Sequence, residues 1–312
     1  MRNKVLLLLV VLGGSYGYGV ISHAHRLFPM GELSALRRVV WPERGIATTP
    51  GVIYSDTSER QEVACNSLAE DAAVILVMGQ SNAANYGETL YRPRRQVFNF
   101  DWKSGRCYRA EDPLLGASGR GGSAWSRLGD ALIERGVFRR VVLVPVAVGG
   151  TSIHAWVGEN GPAGHAVKAA AGLREQGLSV SHVLWQQGES DRNMDKSVYI
   201  RLFSQMNDYL RTNGIEAPIF VAQATICNNH GLEDVRQAQA ELPLLMADSN
   251  VLPGPDIDTL DHIYQRASNL CHFSDQGLAG VAELWLEVLA QHQVAATQAT
   301  PAASQAAVRP AP

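Results

Sequence analysis

Four nearly unbroken apolar runs divide the chain, at residues 72–78, 141–148, 183–185 and 218–224. The first, Ala-Ala-Val-Ile-Leu-Val-Met, is bounded by Asp71 and Gly79. A short apolar run without alternation fits a strand buried on both faces, as strands of a parallel sheet are. Stretches of helical character separate the runs, at 124–135, 166–176 and 199–212. A last helix is predicted over about 275–291, with Ser274 as its N-cap. Strand and helix in alternation predict an α/β domain built on a parallel sheet covered on both faces.

The ends of the chain read differently. Arg2 and Lys4 precede an apolar run at 5–12, and Ser22-His23-Ala24 offers a small-x-small site. Residues 1–24 are therefore expected to be a signal peptide or an N-terminal membrane anchor. Either leads to an exported protein, periplasmic or extracellular, that meets a membrane only through this segment. Residues 25–71 read as a lead-in broken by Pro29, Pro42, Gly45 and Pro50. Residues 72–292 make the domain. From 293 to 312 the chain is rich in Ala, Thr, Gln and Pro and is expected to be disordered.

Composition narrows the class of function. The 312 residues are 46% hydrophobic and 18% charged, with a formal net charge of -3. That suits a globular core and gives no electrostatic footprint for nucleic acid. No metal-ligand spacing and no phosphate-cradling loop is present, so a cofactor-free hydrolase is the simplest class left. Four cysteines, Cys65, Cys107, Cys227 and Cys271, permit three pairings, and export makes disulfides plausible.

Sites in open parallel sheets form at the carboxyl ends of strands, so the residues after each run carry the chemistry. After the first run comes Gly79-Gln80-Ser81-Asn82, where the glycine permits a sharp turn that exposes Ser81. Alone, such a serine is as readily a turn or a cap. After the second comes Gly149-Gly150-Thr151-Ser152, and after the third Gln186-Gln187-Gly188-Glu189-Ser190-Asp191. Before the last helix lies Asn269-Leu270-Cys271-His272-Phe273-Ser274, whose His can reach back across the strand ends. A lone His is more often structural, and the chain has nine; His230 and His262 are the other two in loops.

Taken in order, these blocks resemble the SGNH-hydrolase superfamily, in its sialate O-acetylesterase-like and acetyl-xylan-esterase-like branch. The likeness includes Gly277 and the stretch from Asp112-Pro113-Leu114 to Gly121-Gly122-Ser123, and it covers roughly residues 72–292. It implies a flavodoxin-like three-layer sandwich and a carbohydrate acetylesterase. It implies Ser81 as nucleophile and His272 as general base. Oxyanion donors would be the Ser81 N–H, the Gly150 N–H with Gly149 as near alternative, and the Gln187 side chain. Where the family has an Asp three residues before its His, this chain has Asn269. The resemblance then puts Glu189 first as the acid partner, with Asn269 as orienting helper and Asp275, Asp191 and Asp261 as substitutes.

Gln80, Asn82 and Trp125 are candidate substrate contacts, with Arg92, Arg94, Arg95, Trp102 and Arg120 in the same insertion; a solvated loop is the plain alternative. An O-acetyltransferase and a catalytically silent glycan-binding module are the competing functions. For the cysteines we expect Cys227–Cys271, which would tie the His272 loop to the end of the fourth strand, and Cys65–Cys107 as the remaining pair. Four free thiols are the alternative.

Overall fold

The computed structural model describes residues 51–262 and 264–299. The expectations for residues 1–24 lie outside them. Eight strands form one sheet: β1 (Glu62–Val63), β2 (Ala72–Gly79), β3 (Val97–Asp101), β4 (Arg106–Arg109), β5 (Arg140–Pro145), β6 (His182–Gln186), β7 (Ile219–Gln223) and β8 (Val251–Asp256). Their spatial order is β1-β4-β3-β5-β2-β6-β7-β8. The β3-β5-β2-β6-β7-β8 run is parallel throughout, and the β1–β4 and β4–β3 pairs are antiparallel. Five helices accompany the sheet: α1 (Ala124–Glu134), α2 (Pro162–Glu175), α3 (Lys196–Thr212), α4 (Glu233–Leu245) and α5 (Asp275–Ala299).

Strand β2 is central, and its side chains alternate between two apolar clusters. Val74, Leu76 and Met78 join one, with residues of α2, α3 and α4. Ala73, Ile75 and Val77 join the other, with residues of α1 and α5. This is why the run lacks hydrophobic–polar alternation: both faces are covered. Trp156 and Trp185 meet edge to face at 5.0 Å in the first cluster, and Trp125 and Trp285 lie 5.9 Å apart in the second. All four indoles are fully buried. A buried side chain of this size contributes roughly 1.5–3 kcal/mol of hydrophobic stabilisation.

Several elements go beyond the expected set. The lead-in reaches the sheet as β1, and the disulfide Cys65–Cys107 fastens the turn after it to β4. Strand β8 carries Pro253 and Pro255, which is tolerated because β8 is the edge strand. Helix α5 runs through Ala299, past its expected end near Gln291, so residues 293–299 are helical. Alanine-rich sequence favours helix, and the rest of the expected tail, residues 300–312, lies outside the described residues.

Candidate active site

After β2 the chain crosses to β3, and the strand on the far side of β2 is β6. The carboxyl end of β2 is thus the switch point of the sheet, the place where ligands of open α/β sheets bind. Gly79 sits there at φ +136°, and a Cβ on it would lie 1.9 Å from the Gln186 carbonyl oxygen. Only glycine fits. Next, Ser81–Ala83 forms one 3₁₀ turn, closed by Ala83 N–H to the Gln80 carbonyl and Ala84 N–H to the Ser81 carbonyl, both at 3.0 Å. Ser81 is 6% exposed, at the mouth of this turn.

The His272 loop is held from four sides. The disulfide Cys227–Cys271 joins it to the segment after β7, with Cα atoms 4.1 Å apart. Asn228 N–H donates to the Leu270 carbonyl at 3.0 Å. Buried Arg266 donates from Nη1 to the Cys271 carbonyl at 2.8 Å and from Nε to the Leu260 carbonyl at 2.8 Å. Asn82 Nδ2 donates to that same Cys271 carbonyl at 3.1 Å, which brings the nucleophile turn and the His loop together. Leu270 adopts φ +58°, uncommon for a bulky residue, and these contacts over-determine it. His272 is half-buried; desolvation, and secondarily the Arg266 charge, push its pKa down to about 4.

The imidazole of His272 meets Asn269, the expected orienting helper. Its Nδ1 lies 2.9 Å from Nδ2 of Asn269, not beside the Glu189 carboxyl. Glu189 is buried, and its Oε1 accepts from Asn82 Nδ2 at 2.6 Å. Its Oε2 is buried with no partner. Burial raises its pKa to about 7, against the opposing effect of the Asn82 bond. Glu189 therefore acts on the His loop through Asn82. Two of the substitute carboxylates are occupied elsewhere: Asp275 by Thr89 and Arg127, and Asp191 by Ser152, Ile153 and Gln187.

Among the oxyanion candidates, Gly149 N–H donates to Ser118 Oγ at 2.7 Å, while no hydrogen bond among the described residues engages the N–H of Ser81 or Gly150. Gln187 Nε2 is ringed by three acceptors: Gln80 Oε1, the Thr151 carbonyl and Asp191 Oδ2. Its two hydrogens are already committed. The three candidate substrate contacts also hold protein partners. Gln80 is buried, and its Oε1 also accepts from the N–H groups of Gly188 and Ser190. Asn82 is buried in the bonds described above. Trp125 is fully buried, with Nε1 donating to the Ala83 carbonyl at 2.7 Å, so it braces the nucleophile turn from below. Trp102 is likewise buried, donating to the Gly116 carbonyl.

Two neighbours of His272 escaped sequence reasoning. Tyr86 lies with its ring 5.2 Å from the imidazole and its buried hydroxyl unpartnered. A Cβ on Gly149 would meet that hydroxyl at 2.5 Å, so the glycine makes room for it. Arg266 is the other. Nothing local marks either residue; an aromatic five positions after Ser81 is the nearest to a signal.

The sheet is mostly parallel, its glycine-dependent serine turn stands at the switch point, and Asn82 ties that turn to the tethered His272 loop, an arrangement that suits an ester hydrolase. The chain belongs to the carbohydrate esterase family described as sialic acid-specific acetylesterase, whose model matches residues 71–268. The match ends before Asn269 and His272. The fold is similar to that of a solved protein from Arabidopsis thaliana, at 23% identity, covering 72% of this chain and 98% of that one, with a TM-score of 0.57. A carbohydrate acetylesterase from Xanthomonas citri aligns at 14% identity over 72% of this chain and 56% of its own, with a TM-score of 0.41. A family two carbohydrate esterase from Cellvibrio japonicus aligns at 15% identity over 71% and 62%, with a TM-score of 0.43. No curated protein matches the chain.

Proposed function

We propose that this carbohydrate esterase removes O-acetyl groups through an acyl-enzyme on Ser81. The observation that carries the reading is the Asn82 bridge: one side chain next to Ser81 grips the backbone next to His272. Ser81 Oγ attacks the ester carbonyl carbon while its proton passes to His272 Nε2. The tetrahedral oxyanion is received by the Ser81 and Gly150 N–H groups, each such donor typically worth about 3 kcal/mol in the transition state. Collapse breaks the carbon–oxygen bond to the sugar, whose oxygen takes the proton from His272. Water then attacks the acetyl-serine with His272 again as base, and acetate leaves.

The alternation of β2 between two clusters supports reading the domain as a flavodoxin-like three-layer sandwich. Two disulfides favour an oxidising compartment and hence export, with residues 1–24 as signal peptide or anchor. Among the described residues no helix is long and apolar enough to cross a membrane.

Acetate release from a panel of acetylated polysaccharides tests the reading, with Ser81→Ala as the comparison. The variant is expected to lose activity while its stability changes by less than about 1 kcal/mol, because a hydroxyl at the mouth of the turn adds little packing. Retained release would sink the mechanism. Acetyl gain on an added glycan would turn it into a transferase.

A further inference from the structure

His272 is a general base only if Nε2 carries a lone pair in the ring plane. In a neutral imidazole that requires the hydrogen on Nδ1. What decides the matter is the group that faces Nδ1, and here that group is the Asn269 amide.

The orientation of the amide is set by its other end. Asn269 Oδ1 accepts from the backbone N–H of Cys271 at 3.0 Å and from that of His272 at 2.9 Å. Both are donors and only an oxygen satisfies them. The nitrogen must therefore point at the ring, and Nδ2 lies 2.9 Å from Nδ1. An amide nitrogen has hydrogens and no lone pair to offer. Nδ1 is consequently the acceptor, and the single ring hydrogen is on Nε2. Turning the amide by half would place an NH₂ group against two backbone N–H groups, leaving both without a protein acceptor. The loop resists such adjustment: Leu270 is held at φ +58°, and Cys271 is fixed by its disulfide, by Arg266 and by Asn82.

We propose that Asn269 clamps His272 in its idle tautomer, with the hydrogen on Nε2, and so throttles the enzyme at rest. The inference rests on the reading of His272 as the general base. In the clamped form Nε2–H is a donor toward the nucleophile and cannot receive the Ser81 proton. Turnover passes through the minority of molecules in which the hydrogen has moved from Nε2 to Nδ1 and the amide has turned. A carboxylate at this position removes the conflict. One of its oxygens keeps the two backbone N–H bonds and the other accepts Nδ1–H, which leaves the Nε2 lone pair free. The same logic, run in the opposite direction, underlies the loss of about 10⁴ in rate when the triad Asp of a serine protease is made Asn.

Asn269→Asp, a near-isosteric change, is the test, with two readouts. Long-range ¹⁵N–¹H spectra of the histidine-labelled full chain near neutral pH, with His272→Gln to assign the ring, report the tautomer without reference to activity. The wild type is expected to show the hydrogen on Nε2, and the Asp variant on Nδ1. Steady-state acetate release is expected to rise at least about 10²-fold in kcat with KM little changed, as for a group that acts only in the transition state. A wild-type ring with its hydrogen on Nδ1 overturns the clamp, and this measurement needs no variant to fold. A tautomer that swaps while kcat stays level overturns the throttle. No acetate release from either protein, with the swap observed, overturns the esterase reading and the throttle with it, and leaves the tautomer assignment standing.

Discussion

Asn82 Nδ2 lies 2.6 Å from Oε1 of Glu189, a bond between two buried side chains 107 residues apart in the chain. Through it a buried carboxyl reaches the His272 loop without touching the imidazole, since Asn82 also donates to the Cys271 carbonyl. In the proposed mechanism Glu189 is thus a positioning residue, and its own proton has consequences for stability.

Burial raises the Glu189 pKa from 4.5 to about 7. Between those values the unfolded chain has released the proton and the folded one still holds it, so stability falls as pH rises. His182 and His272, lowered by burial from 6.5 to about 4, act the other way: stability falls as pH drops below 6.5. Glu189→Gln deletes the first trend only. Its unfolding free energy should climb more steeply than the wild type's from pH 4.5 to 6.5, by up to about 1.4 kcal/mol per unit. Urea midpoints across that range measure it, and an unchanged slope would falsify the buried, protonated Glu189.

In the proposed mechanism the lowered pKa of His272 also sets the acid side of catalysis. Free imidazole would lose its basic form near 6.5, but this ring keeps it to about 4. The kcat/KM profile on a small acetate ester should therefore fall by half near pH 4. A midpoint above 6 would mean that His272 is solvated or charge-paired in solution.

The two disulfides should be equal in stability and unequal in function. They close loops of similar length, with separations of 42 and 44 residues, and the chain-entropy estimate for each is about 4 kcal/mol. Of the two, Cys227–Cys271 holds the loop of His272, the proposed base. Replacing that pair by serine should lower kcat at least about tenfold beyond replacing Cys65 and Cys107, because positioning of a catalytic group is what is lost. Chemical denaturation and kinetics on both double variants compare them, and thiol titration of the unreduced protein should find none free.

Buried and bonded to the Ala83 carbonyl, Trp125 is proposed as a brace of the nucleophile turn. Trp125→Phe leaves the Ala83 carbonyl without its indole donor. We expect a loss of about 1–2 kcal/mol in stability and a KM within about twofold of wild type. A large rise in KM with stability intact would return Trp125 to the substrate surface.

How much of this was legible in the sequence follows from how far each signal reaches. The runs at 72–78, 141–148, 183–185 and 218–224 announced β2, β5, β6 and β7 because a strand covered on both faces must be apolar at every position. The turn glycine before Ser81 and the Cys227–Cys271 pairing were legible from what stands at a strand end, and Cys65–Cys107 was the pair that remained. Strands β3 and β4 were not. Val-Phe-Asn-Phe-Asp and Arg-Cys-Tyr-Arg are short and mixed, and they are strands because β5 and each other complete their hydrogen bonds.

By itself, the sequence determined an α/β domain with a parallel sheet, a serine at the end of its first long strand and a histidine before its last helix. Only the tertiary structure decided which neighbours those residues acquire. Gln80, Asn82, Gln187 and Trp125 carry polar groups that suit a substrate equally well, and packing instead turned each toward a partner distant in the chain. The direction of the Asn269 amide was decided last of all, by two backbone N–H groups of its own loop. An asparagine is symmetric in shape and opposite in hydrogen bonding at its two ends, so its identity says nothing about which end the histidine meets.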